Sequence, residues 1–386
     1  MIKPAIVVVG YNRVNSMARL LQSIKNAYYP VNDITLIISL DKGEKQNEIK
    51  LLAENFQWEH GTKEIKVYNE RQGLKKHIIK NGNLALKYGA IIVLEDDLYV
   101  APDFYNFAYQ AVNYYKNDNK VVGIGLYSHE WNGYSSSPFI KRIGQADVFA
   151  GQFSITWGQC WTKRSWQGFY EWLQKQDKYI YNSDIPERIN RWSNQSWGKY
   201  FVNYIQENNL YYIIPNISLS TNFSDVGQHS KYRNTDHQVS LWLQKNKQYV
   251  FLPFDKLFKY DLFFEPILEK PLLGISRELI DVDLNMTKKK KLERRYLLTT
   301  KKRNYRLLKS YSLDLRPIEL NILQSLEGDG IYFYDTQIKE NNKHILEKKL
   351  FYDLRGYNFI QLFKGALRNF KIVFFIKSKL WLKKWK

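Results

Sequence analysis

A chain of 386 residues with 44% hydrophobic and 16% aromatic content has enough apolar side chains for one large or two ordinary domain cores, which excludes a globally disordered protein. Its formal charge of +20 implies an anionic partner, whether nucleic acid, a membrane surface or a phosphorylated substrate. The single cysteine, Cys160, excludes an intramolecular disulfide framework and a multi-cysteine zinc site, and it fits a reducing compartment.

The first apolar segment begins at Pro4 with no signal-peptide pattern ahead of it, and no apolar run reaches membrane-spanning length, so a cytoplasmic protein is expected. PAIVVVG (residues 4–10) predicts a strand. Val14, Met17, Leu20, Leu21 and Ile24 then recur at helical spacing. ITLIISLD (34–41) is a second strand, followed by a polar helix through Ile49 and Leu52, and EIKVYN (64–69) is a third. Residues 75–87 read as one helix, and GAIIVLEDD (89–97) as the fourth strand. A helix over 103–117 and a strand over 121–126 follow.

This alternation predicts a doubly wound, mostly parallel α/β sheet, with ligands outside the carboxyl ends of its strands. Four polar features fall there: Tyr11-Asn12-Arg13, Asp41, residues 69–76, and Glu95-Asp96-Asp97. Strand alternation would send Glu95 and Asp97 to one side and Asp96 to the other. Three carboxylates at a buried strand's end repel one another unless a cation is near, and a hard divalent ion shared with substrate phosphates answers that. Acidic pairs also cap the helix after a strand, which is the competing structural reading. No GxGxxG follows the first strand and no GxxxxGK[ST] loop occurs, so phosphates must be held by other means.

The order of VVVGYNR, IISLDKG, RQGLKKHIIKNGNLAL and GAIIVLEDDLYVAPDFYNF, then ITWGQCW (155–161) with Arg164 and Trp166, Trp197 to Phe201, and NFSDVGQH (222–229), resembles GT-A glycosyltransferases. It is most similar to bacterial surface-polysaccharide sugar transferases and to the N-acetylglucosaminyltransferases with a Glu-Asp-Asp metal motif. The resemblance covers about residues 4–230. It implies that Asp97 binds a divalent ion, Mn²⁺ or Mg²⁺, that Glu95 and Asp96 face the ribose or base of a nucleotide sugar, and that Asp41 contacts the nucleoside. It also implies that Arg13 and Lys76 reach the nucleotide or its phosphates, that His229 helps to hold metal or diphosphate, that Trp157 borders the acceptor cleft, and that the donor is a UDP-sugar.

An inverting transfer needs a carboxylate base for the acceptor hydroxyl. Some relatives place an Asp directly after the residue matching Trp197, where this chain has Gly198 and then Lys199. Asp184 and Glu187 are the nearest carboxylates, with Asp184 favoured; a cap on the helix beginning at Pro186 is the structural alternative for it. Trp161, Trp166 and Trp197 are expected in the core.

The expected division is a catalytic domain over 1–270, with a nucleotide-sugar half (1–126) and an acceptor half (127–270), and a basic, mainly helical extension over 271–386. In its last segment Phe359, Leu362, Phe363, Leu367 and Phe370 recur at helical spacing with Lys364, Arg368 and Lys371 opposite. Such a helix suits an anionic membrane face and thus a lipid-linked acceptor at the inner side of a membrane; packing onto the catalytic domain is the other use of such a face. Other functions stay open: a nucleotidyltransferase making the sugar nucleotide, or a noncatalytic nucleic-acid- or glycan-binding protein. Nucleic acid is not the expected partner, because no helix-turn-helix, zinc or RRM signature is present.

Overall fold

The computed structural model describes residues 1–176, 181–226, 237–288, 294–343, 345, 347–354, 356 and 358–382. Two compact units are present, residues 1–299 and 300–386.

The first unit opens with β1 (Ala5–Gly10), α1 (Val14–Lys25), β2 (Leu36–Leu40), α2 (Gln46–Asn55), β3 (Lys63–Val67), α3 (Leu74–Gly82), α4 (Leu84–Tyr88), β4 (Ala90–Glu95), β5 (Leu98–Val100), α5 (Phe104–Tyr115) and β6 (Val121–Gly125). A short hairpin follows, β7 (Trp131–Asn132) and β8 (Ser137–Pro138). Then come β9 (Val148–Gly151), β10 (Gln159–Thr162), α6 (Lys163–Gln174), α7 (Glu187–Asn190), α8 (Trp197–Glu207), β11 (Tyr211–Pro215), β12 (Ser220–Asn222), β13 (Lys259–Tyr260), β14 (Ile280–Asp283) and β15 (Tyr296–Thr299).

Nine strands form one sheet in the order β13-β9-β11-β6-β10-β4-β1-β2-β3. The mostly parallel α/β sheet expected from the alternation is present: β1, β2, β3 and β4 run parallel, as do β6 and β11. β10 is inserted antiparallel between β4 and β6, and β9 runs antiparallel to β11. Apolar runs bury both faces. Ile6 and Val8 face one cluster with α1, α2 and α5, while Val7 and Val9 face a second with Trp161, Trp166, Trp197 and Phe201.

The chain steps from β1 outward to β2 and β3 and then returns to the other side of β1 with β4. The β1/β4 boundary is therefore the switch point at which open α/β sheets leave a crevice at their carboxyl edge. The register sets Val9 beside Glu95, and Asp96 N–H donates to Val9 O at 3.1 Å.

The single helix expected over 75–87 is broken at Asn83. Trp166 explains the break: its Nε1 donates to Asn83 Oδ1 at 2.8 Å, and its ring lies so close over Gly82 that a Cβ there would be 2.0 Å away.

The first compact unit runs to Thr299, and within it the buried Glu265 carboxylate accepts N–H bonds from Leu284 and Asn285 at 2.9 and 2.7 Å. Residues 271–386 hold strands beside their helices: β14 and β15 pair in parallel, and the second unit contains an antiparallel pair, β16 (Tyr305–Tyr311) with β17 (Ile331–Lys339). The helices there are α9 (Leu320–Leu323), α10 (Lys349–Leu354) and the long α11 (Phe359–Leu382). The consecutive aromatics of IYFYDTQIK favour a strand by propensity, while the lysines and arginines around β16 conceal its strand pattern.

Candidate active site

The β1/β4 crevice gathers the strand-end polar groups. β4 stops at Glu95 and the chain turns, so alternation no longer applies to the next two residues, and one guanidinium reaches both aspartates. Arg13 Nη1 donates to Asp97 Oδ2 at 2.9 Å while Nη2 donates to Asp96 Oδ1. Asp96 Oδ2 accepts the Tyr11 N–H at 3.3 Å. Asp97 Oδ1 is buried and has no hydrogen-bond partner.

Burial first, and then the Asp97 charge, push the Glu95 carboxyl up to about 8, Arg13 opposing. Burial also raises Asp96, to about 6, against the pull of Arg13. Burial alone would lower the Arg13 guanidinium, but the two aspartates outweigh it and hold Arg13 above its ordinary value.

Glu95 thus binds its proton more tightly folded than unfolded. Its contribution to stability is present below the unfolded value of about 4.5 and is lost as pH rises toward 8. In chelator, the wild-type melting temperature is expected to fall across that window and Glu95→Gln to flatten the fall. Parallel wild-type and variant profiles would contradict the assignment.

Asp41, 4% exposed, is the anchor of the neighbouring loop. Its Oδ1 accepts the N–H groups of Lys42 and Gln72 at 2.8 and 2.7 Å, and its Oδ2 that of Gly73 at 3.0 Å. Gly73 has φ +72°, a conformation glycine adopts without strain, and it leads into α3. Below this loop, His77 Nε2 and Ser39 Oγ share a hydrogen bond at 2.8 Å, and burial pushes His77 down to about 4, keeping it neutral. Lys76 is exposed on the first turn of α3. The half-buried Tyr11 ring has the Arg71 guanidinium 5.2 Å from its centroid, and a Cβ on Gly43 would fall 2.1 Å from Asn12 Oδ1. The loops after β1, β2 and β3 therefore meet at one place.

β12 brings a distant segment to the acidic turn. It pairs antiparallel with β5, and Phe223 N–H donates to Asp97 O at 3.0 Å. Asp225 then docks on α1, its Oδ2 accepting from Ser16 Oγ at 2.7 Å and from Arg19 Nη2. Burial works to raise Asp225, but the bonds from Arg19 and Ser16 hold it below the usual carboxylate range. Arg19 also lies 3.8 Å over the Phe223 ring. The sequence reading did not single out Arg19; its position three residues after Ser16, on the same helix face, was the available signal. His229 lies outside the described residues.

Trp157 is half-buried in the turn between β9 and β10, with His237 at 4.4 Å and Tyr127 at 4.7 Å between ring centroids. Its carbonyl accepts Ser220 Oγ at 2.5 Å. The span 152–158 is irregular, and Gly158 has φ +91°. A Cβ on Gly198 would meet Thr156 Cγ2 at an ordinary 3.4 Å, so space does not dictate glycine there. The next residue, Lys199, is turned inward: Nζ donates to Trp192 O at 2.9 Å and Asn194 Oδ1 at 3.1 Å. Asp184 is half-buried ahead of α7, its N–H donating to Asn182 Oδ1 at 2.8 Å. Glu187 Oε2 accepts from Tyr181 Oη at 2.8 Å, and Oε1 from Arg191 Nε at 3.0 Å.

Among the described residues, no three His, Cys, Asp or Glu side chains are gathered to hold a metal ion. The orphaned Asp97 oxygen nevertheless fits a cation that takes one carboxylate from the protein and further oxygens from substrate phosphates.

No protein-family model matches the chain. The class it resembles is the glycosyltransferases. In particular, it is similar to the alpha-1,3-mannosyl-glycoprotein 2-beta-N-acetylglucosaminyltransferase of Arabidopsis thaliana, 24% identical over 230 residues, which cover 52% of this chain and 50% of that protein. The chain thus spans about half the length of this curated relative. Among solved structures, residues 1–349 of S. aureus TarS in complex with UDP give a TM-score of 0.33 at 12% identity, covering 56% of this chain and 59% of that one. The mannosyltransferase PcManGT from Pyrobaculum calidifontis, in complex with GDP-Man and Mn²⁺, gives 0.31 at 13% identity, covering 44% and 47%. Both scores are below 0.5, and the fold described above rests on the strand order itself.

Proposed function

We propose that this chain is a divalent-metal-dependent glycosyltransferase that moves a sugar from a nucleotide sugar, by resemblance a UDP-sugar, to a glycan or lipid-linked acceptor in surface-polysaccharide synthesis, with inversion at the transferred carbon. One observation carries this reading: at the sheet's switch point, Asp97 keeps one buried oxygen without a partner while Arg13 takes the other.

Asp97 would hold the ion, and a bound divalent ion supplies Lewis-acid neutralisation of the charge growing on the diphosphate leaving group. The chain's own groups do the rest. α1 begins at Val14 with no side-chain cap and no acidic residue in its first turn, so its free N–H groups suit a phosphate. Asp41 fixes the loop that carries Arg71 toward Tyr11, a planar pair suited to a base, and Lys76 adds charge from α3. Glu95 and Asp96 would meet the ribose or base, and by resemblance His229 would help to hold metal or diphosphate. Trp157 would border the acceptor. For the base we favour Asp184, with Glu187 in the same segment as the other candidate carboxylate. The test is transfer from radiolabelled UDP-sugars to lipid-linked saccharides with Mn²⁺ or with chelator, the anomeric configuration of the product being read by NMR. Metal-dependent product with inverted configuration is expected; transfer that survives chelation would contradict the metal's role.

The membrane reading is supported by composition and exposure. Of the 58 Lys and Arg residues 19 follow Thr299, against 8 of the 38 Asp and Glu. On α11, Phe359, Phe363, Leu367, Phe370 and Phe374 are all more than half exposed and fall on one helical stripe. No helix among the described residues is long and apolar enough to cross a membrane. Such a helix lies in the interface of an anionic leaflet, each basic residue near the surface adding roughly 1 kcal/mol. Truncation before Asn358 is expected to weaken binding to phosphatidylglycerol vesicles at least tenfold in co-sedimentation, and unchanged binding would end this part of the proposal.

A further inference from the structure

We infer that Arg13 is a resident cation of the acidic turn: it gives way to the divalent ion and passes its guanidinium to the diphosphate of the donor. This rests on the proposed metal-dependent transfer.

Arg13 donates to Asp96 and Asp97 through both terminal nitrogens, and its side chain is still 24% exposed. It is also the N-cap residue of α1, whose first-turn N–H groups have no side-chain acceptor. The guanidinium thus sits between two carboxylates and a helix end that itself favours anions. A doubly charged ion arriving on Asp97 repels a guanidinium held on the same carboxylate, because like charges a few ångströms apart in a half-buried cleft are poorly screened. The residues around Arg13 are fixed without it. Asp96 retains the Tyr11 N–H, and α1 is secured farther along by the Ser16 and Arg19 bonds to Asp225. Arg13 can therefore leave its two partners without loosening the helix on which it stands. The nearest strong anion is then the diphosphate, for which a planar two-pronged donor is well matched.

The expected signature is reciprocal. Mn²⁺ binding to the full-length protein, followed by the EPR signal of free Mn²⁺ with no nucleotide present, is expected to tighten at least fivefold in Arg13→Gln. Binding of UDP, and of inorganic pyrophosphate, at saturating Mn²⁺ is expected to weaken at least tenfold in the same variant. Arg13→Lys, which keeps the charge and loses the fork, should fall between wild type and Arg13→Gln on both scales and serves if Arg13→Gln does not fold. Unchanged UDP and pyrophosphate affinity at saturating Mn²⁺ would show that Arg13 stays on the carboxylates; unchanged Mn²⁺ affinity would show that it never competed. Either result overturns the inference and leaves metal-dependent transfer standing. A wild-type protein that takes up no Mn²⁺, with or without UDP, would instead overturn the metal reading itself and this inference with it.

Discussion

Asp97→Ala is expected to lower sugar transfer by a thousandfold or more while leaving the protein folded. A thousandfold corresponds to about 4 kcal/mol of transition-state stabilisation, within what a lost Lewis acid accounts for. The structural cost is small by comparison. The substitution removes one of Arg13's two acceptors but leaves Asp96 paired with it, and it deletes a buried oxygen that had no partner of its own. The backbone carbonyl that accepts the Phe223 N–H is untouched. Turnover and a melting curve on the same preparation separate the two effects. Near-wild-type turnover in the folded variant would refute the role given to Asp97, and a collapsed melting curve would mean the acidic turn is structural.

Asp41→Ala is expected to destabilise the protein by about 3 kcal/mol, more than any other single change considered near the site. Three backbone N–H groups, from Lys42, Gln72 and Gly73, lose a charged acceptor at once, in a place where Asp41 is nearly inaccessible to water. Asp41→Asn, which keeps one carbonyl oxygen, should cost about half as much. Urea denaturation reads the difference directly. The resemblance assigns Asp41 to the nucleoside, whereas the hydrogen bonds make it the clamp of the loop that carries Arg71. If Asn restores most of the stability and the donor KM stays raised, the residue has both roles; a KM that recovers with stability would leave only the clamp.

The parallel core was legible because its strands are short, largely apolar runs, AIVVVG, LIISL and AIIVLE, each ending in or followed directly by polar residues: Tyr11-Asn12-Arg13, Asp41 and Glu95-Asp96-Asp97. The crevice followed from strand order alone. Long-range partners were not legible. Trp166 breaks the 74–88 helix from 83 residues downstream of Asn83, and Asp225 reaches back 206 residues to Arg19. No local period encodes such contacts. The turn at Asp96 defeated strand alternation because one residue outside a strand ends it, and that is why Asp96 and Asp97 share a guanidinium instead of pointing apart. In the C-terminal region, frequent lysines and arginines hid the strand pattern of β16, and the run of consecutive aromatics in β17 was the signal for a sheet.

The measurement closest to the central claim is the melting temperature of the purified protein against UDP-, GDP-, CMP- and dTDP-sugars, each with Mn²⁺ and with chelator. A ligand that binds only the native state raises its stability with the logarithm of concentration over Kd. A rise with one nucleotide class, present with Mn²⁺, absent with chelator and absent in Asp97→Ala, is the predicted result. No rise with any nucleotide sugar, or an equal rise in chelator and in the variant, would contradict the account.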